Sequence, residues 1–212
     1  MFASGCDFIQ HMCMSSLDEA LALIARCGGT VRTGEALAAG IHARTLYALR
    51  DSGQLEQLAR GLFRLAELPP PGDPDLAVIA AAVPKAVLCL ISALAAHELT
   101  TQIPHTIQIA IPRTSRYPSL PGMPIKVFRF GEAAFDAGIE RYDFDGGTIR
   151  VYGPEKTLAD CFKFRGKLGL DPFLEGLASY RRRPKASMQR VLEFARIDRV
   201  DKAIRPYLQA KP

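Results

Sequence analysis

The segment ELPPPGDPD, residues 67–75, limits the fold of this 212-residue chain more than any other. It packs four prolines and a glycine into nine residues. Proline lacks an amide proton and fixes φ, so the segment continues neither a helix nor a central strand. Two folded units are therefore expected, 15–67 before a linker at 68–75 and 76–212 after it. Residues 1–14, MFASGCDFIQHMCM, have neither a basic start nor a sustained apolar run. They read as a loose leader, not a signal peptide, and Met12 or Met14 can equally serve as the start.

In the first unit, Ser15 or Ser16 caps a helix to about Arg26, with Asp18 and Glu19 in its first turn, where the helix dipole favours acids. Leu17, Leu21, Leu23 and Ile24 form its apolar stripe. Thr33 caps a second short helix, GEALAA, which Gly40 stops. A third helix runs from about His42 to Ser52 and ends at Gly53. Two apolar segments, 55–58 and 62–65, then join through Ala59, Arg60 and Gly61 as a hairpin. Ala36 lies four residues before Gly40 and lets two helices cross closely, Ile41 anchors the turn, and Leu46 and Leu49 face inward. This is the outline of a helix-turn-helix followed by a wing.

The second unit mixes helices and strands. DLAVIAAA and PKAVLCLISALAAHEL read as helices, the second apolar nearly all round and so central, with Pro84 at its first position. TIQIAI, PIKVFRF and TIRVYG read as strands, and ERYDFDGGTIRVY as a hairpin turning at Gly146-Gly147. EKTLADCFKF is helical, and three short helices follow Asp171, punctuated by Pro184 and Pro206. The expected fold class is α+β: an N-terminal winged helix-turn-helix, then a mixed α/β C-terminal domain with a small sheet and several helices.

That phasing turns His42, Arg44 and Tyr47 outward at the start of the third helix, where a major groove would meet them. Arg44 can fork onto a guanine, Tyr47 can touch a thymine methyl or a phosphate, and Thr33 can offer a hydroxyl and an amide to a phosphate. Arg60 marks the wing tip and Arg64 its second strand, while Phe63 and Leu65 belong to the core. With Arg32, Thr45 and Arg50 these complete the candidate DNA contacts of the first unit. Charge is thin there: residues 1–69 hold six arginines against seven acids. Residues 156–211 hold 14 basic and 6 acidic residues. Lys163, Arg165, Lys167, Arg181, Arg182 and Arg183 are the candidates to grip flanking phosphates, with Lys163 and Lys167 sharing a face if their helix runs on. A protein-interaction module and a plainly solvated basic surface are the competing readings.

Other chemistry finds little footing. The five cysteines are scattered and never spaced C-x-x-C, as befits reduced thiols in a cytoplasm. Cys6, His11, Cys13 and Cys27 fit no zinc-ligand spacing, and no metal or other cofactor is expected. No run reaches the ~18 apolar residues of a membrane span. There is no phosphate-binding glycine loop and no G-x-S-x-G elbow. Cys161 reads as core, His97 and His105 as isolated, and Lys156, Thr157 and Asp160 as a capping set, so an enzyme is not expected.

The stretch GGTVRTGEALAAGIHARTLYALRDSGQLEQLARGLFRLAE resembles the N-terminal winged helix of the AbiEi family, the antitoxins of AbiE-type abortive-infection, type IV toxin-antitoxin systems. The shared order is GG, a short helix, G-I-x-x-R-T-L-Y-x-L, S-G-x-L and x-R-G-L-F-R-L. PKAVLCLISALAAHELT resembles the helix that opens that family's C-terminal domain, and GPEKTLADCFKFRGKLGLD its E-R/K-T-L-x-D helix. The leader before Ser15 has no counterpart. The resemblance implies a phage-defence antitoxin that represses its own operon by binding inverted repeats in double-stranded promoter DNA. It also implies a C-terminal domain that neutralises a nucleotidyltransferase-like toxin without a stable complex. A winged-helix regulator or an adaptor without a toxin partner is the alternative. With no heptad or apolar face to mark a dimer, a monomer on each half-site is expected.

Overall fold

A computed structural model describes residues 16–68, 73–118, 120, 122–144 and 147–210. The leader, Pro69 to Gly72 of the linker, and Gly146 lie outside them, as do Cys6, His11 and Cys13. The chain divides into two compact units, 1–74 and 75–212. Both combine helices with a sheet, antiparallel in the first unit and mixed in the second, so the protein is α+β. Among the described residues no helix is long and apolar enough to cross a membrane.

The first unit runs α1 (Ser16–Arg26), β1 (Thr30–Arg32), α2 (Thr33–Ala38), α3 (Ala43–Asp51), β2 (Leu55–Ala59) and β3 (Leu62–Leu65). β1 was not foreseen. Three residues are too few for a periodic signal, and the strand forms because β3 supplies a partner, pairing Val31 with Phe63. The antiparallel sheet has the order β1-β3-β2, so β3 is central, and all four of its residues are buried, Leu62 and Arg64 included. Ile24, Ala36, Ile41, Leu46, Leu49, Leu55 and Phe63 build the core beneath it. Leu17, read as part of the α1 stripe, is exposed, and Ala20 is buried instead.

The second unit runs α4 (Pro74–Ala82), β4 (Val87–Leu88), α5 (Leu90–Ala96), β5 (Ile107–Pro112), β6 (Ile125–Phe130), α6 (Glu132–Asp136), β7 (Ile139–Phe144), β8 (Gly147–Tyr152), α7 (Pro154–Lys163), α8 (Arg165–Leu168), α9 (Asp171–Arg181), α10 (Met188–Ile197) and α11 (Asp201–Gln209). Its sheet has the order β6-β5-β4-β8-β7, with β4–β8 and β5–β6 parallel and the other pairs antiparallel. The apolar run after Pro84 is not one helix. Val87 and Leu88 form the central strand, Pro84 lies in the preceding turn, and only Leu90–Ala96 is helical. A short run buried on both faces reads alike as strand or helix, and here the partners β5 and β8 decide. Pro206 does not end a helix but sits inside α11.

One sheet face packs Val87, Ala110, Phe128 and Tyr152 against α5, α7 and the C-terminal helices; the other packs Leu88, Ile109 and Val151 against α4. At the centre lies α7, whose residues 155–162 are all buried. Lys156 ion-pairs with Asp160 one turn on, and its Nζ stands 3.3 Å from Asp198 at the end of α10. The ammonium also lies 5.2 and 5.1 Å from the ring centres of Phe130 and Tyr152. Lys163 reaches the other Asp198 oxygen at 2.9 Å. Burial pushes the Asp160 carboxyl up, against the opposing pull of Lys156. Thr157 donates its hydroxyl to the Tyr152 carbonyl at 2.9 Å. Glu155 accepts the Tyr180 hydroxyl at 2.7 Å, and burial pushes that phenol up to about 12. The E-K-T-L-A-D run is therefore an internal clamp and not only a helix cap.

Removing one partner of a buried ion cluster strands the other charges. Lys156→Met is expected to cost about 3–5 kcal/mol in the second unit's urea transition, a loss under about 1 kcal/mol contradicting the clamp. Cys89 and Cys161 are buried, and burial raises both thiols, so their thiolate fraction at pH 8 falls. Residue-resolved alkylation should label exposed Cys27 in the native protein, and Cys89 and Cys161 only after unfolding.

Candidate nucleic-acid interface

The turn between α2 and α3 is set by Gly40, whose φ of +87° is open to glycine and costly for other residues. It lets the Ile41 amide reach back to the Ala36 carbonyl at 2.8 Å. Ala36 is fully buried where the two helices meet. Gly53, at φ +78°, ends α3 in the same way, with the Gln54 amide on the Leu49 carbonyl at 2.9 Å. At the other end of α2, the Arg32 amide donates to the Glu35 carboxylate at 3.0 Å. Thr33 is the first helical residue and not the cap. Its amide and hydroxyl both donate to the Gly61 carbonyl, at 2.9 and 3.3 Å, tying α2 to the hairpin turn. Those two donors are thus already bonded within the unit.

The exposed side of α3 carries His42, Arg44 and Tyr47, with Thr45 half-buried beside them. Tyr47 is 44% exposed, and its ring stands edge-on to Phe63 at 5.8 Å, which fixes its direction. Arg50 is held closely. Its fork donates to Asp51 at 2.9 and 2.7 Å and to Gln57 at 3.1 Å, with the guanidinium 4.9 Å from the Tyr47 ring centre. Arg50 therefore braces Tyr47 against β2; Gln57, absent from the sequence reading, completes the brace. Arg64, read as a wing contact, is buried in the central strand, 4.0 Å from Glu56. Arg32 is half-buried. Arg44 and Arg60 are exposed and carry no ion pair or side-chain hydrogen bond among the described residues. One lies in the first turns of α3 and the other at the β2–β3 tip.

In the second unit many candidate cations hold the fold together. Lys163 pairs with Asp198. Arg181 donates to the carbonyls of Tyr207 and Leu208 at 2.8 and 3.1 Å, closing the end of α11. Arg183 donates to the His97 carbonyl beyond α5. Arg165 donates to the Phe162 carbonyl at 2.8 Å and lies over that ring. Lys167 is exposed and lies in α8, a separate helix from the α7 of Lys163, which ends at Phe164. Arg182, whose side chain bonds only to Ser179 among the described residues, is exposed, as are Lys185, Arg196, Arg199, Lys202 and Arg205. Which of these cations is free depends on where carbonyls and acids fall in three dimensions, and spacing along the chain does not show it.

No curated protein matches the chain in sequence. Among solved structures it is similar to the crystal structure of the RV2827C protein from Mycobacterium tuberculosis. The two share 16% identity and a TM-score of 0.49 over 92% of this chain and 82% of that one. Residues 18–66 match the family model described as transcriptional regulator, AbiEi antitoxin. The match spans α1 through β3, the helices and hairpin that carry Arg44 and Arg60.

Proposed function

We propose that this chain is a DNA-binding antitoxin that represses its own operon. The carrying observation is the pair of exposed, unpartnered arginines, Arg44 on α3 and Arg60 at the hairpin tip. In this reading α2 and α3 are a helix-turn-helix and β2–β3 is its wing. The start of α3 enters the major groove of double-stranded promoter DNA, with Arg44 on base edges and His42 and Tyr47 beside it. Arg60 follows the backbone or the minor groove. Support comes from the antitoxin-regulator match over residues 18–66.

Two free arginines choose a site better than they hold one, because phosphate contacts supply most non-specific affinity. The exposed cations of the second unit, Arg182, Lys185, Arg196, Arg199, Lys202 and Arg205, supply the remaining grip. Its C-terminal domain, 76–212, counters a nucleotidyltransferase-like toxin without a stable complex, and the protein acts in the cytoplasm as a monomer on each inverted repeat.

Gel shifts with DNA upstream of its own gene test the reading. Arg44→Ala should weaken operator binding by about 10- to 100-fold with little change on random DNA. Arg60→Ala should weaken both and lower the salt slope by about 1. Equal loss on operator and random DNA for Arg44→Ala would take sequence reading away from α3. A fragment ending at about Pro70 should bind more weakly with a shallower salt slope; full-strength binding at ~150 mM salt would refute the division of labour.

A further inference from the structure

A cleft of about 470 Å³ opens in the second unit, at the sheet end where β5 runs out and β4 begins. Lys85, Arg113 and Arg150 line it together with Thr114, and Glu132 and Asp136 of α6 face them. The register sets Arg150 beside Val87, on the sheet face shared with Tyr152. One of its amines donates to the Lys85 carbonyl, and its guanidinium lies 5.6 Å from the Phe135 ring centre. Its Nε is buried and has no hydrogen-bond partner among the described residues. A buried donor left unmade is costly, so native structures leave few without a reason. Lys85 and Arg113 are exposed, and their side chains have no partner among the described residues. Neither Glu132 nor Asp136 comes within ion-pair distance of any of the three cations. The site thus gathers three positive groups and neutralises none.

We propose that this cleft binds a nucleoside di- or triphosphate. The phosphates lie against Lys85, Arg113 and the Arg150 guanidinium. The Thr114 hydroxyl adds a neutral donor. Glu132 and Asp136 accept hydrogen bonds from the ribose hydroxyls, the role an acidic residue plays in dinucleotide sites. The volume suits a small molecule. The same two carboxylates argue against a nucleic-acid strand, whose next phosphates would run along the acidic wall. Every group belongs to the second unit, so the inference stands apart from the operator reading of α3 and the wing.

Calorimetric titration of the full-length protein with ATP, GTP, CTP and UTP tests it, with adenosine and an unphosphorylated single-stranded oligonucleotide as the other arms. At least one nucleotide should saturate the protein below about 1 mM, and adenosine should not bind. Arg113→Ala and Lys85→Ala, both at exposed positions, should each weaken it about tenfold and leave the operator gel shift unchanged. Saturation by no nucleotide, or equal affinity in Arg113→Ala, would overturn the proposal. So would tighter, Arg113-dependent binding of the oligonucleotide, or loss of the operator shift in Arg113→Ala, since either makes the cleft a nucleic-acid contact.

Discussion

Lys156 is the charge on which the second unit depends. An ammonium buried among aromatic rings is tolerable only when acids and ring faces replace its water. Asp160 and Asp198 supply the first, Phe130 and Tyr152 the second. These four residues come from β6, β8, α7 and the end of α10. The arrangement therefore fixes both sheet and helices about α7. Glu155 and Thr157 extend it, one to Tyr180 of α9 and the other to the carbonyl of Tyr152.

The first unit is organised differently. Its core is small and apolar, and two positive-φ glycines set the direction of α3. The same economy governs its arginines. Arg50 braces Tyr47, and Arg64 is sealed into β3. Arg44 and Arg60 stay exposed, one in the first turns of α3 and the other at the hairpin tip. Across both units, a cation's position in sequence says less about its role than whether a carbonyl or an acid lies within reach. Arg181, Arg183 and Lys163 are fold-building because α11, α5 and Asp198 stand beside them. Lys85, Arg113 and Arg150 converge although 65 residues of chain separate the first from the last.

Local patterns were legible wherever the physics is local. The outward phase of His42, Arg44 and Tyr47 follows from 3.6-residue periodicity. The stops at Gly40 and Gly53 follow from backbone sterics, and the β7–β8 hairpin from alternation around a glycine. The failures occurred where a distant partner decides. β1 needs β3, β4 needs β5 and β8, and Leu17 loses its place in the core to Ala20. Lys163 and Lys167 fall in separate helices because α7 ends at Phe164.

By itself, then, the sequence determined the three helices and the hairpin of residues 16–65 and the outward placement of Arg44, because period, caps and turn residues act over a few positions. Only the tertiary structure decided which cations are free, that Lys156 is a buried clamp, and that three basic side chains far apart in the chain share one cleft. Those outcomes depend on desolvation and pairing between remote segments, and no local pattern encodes them.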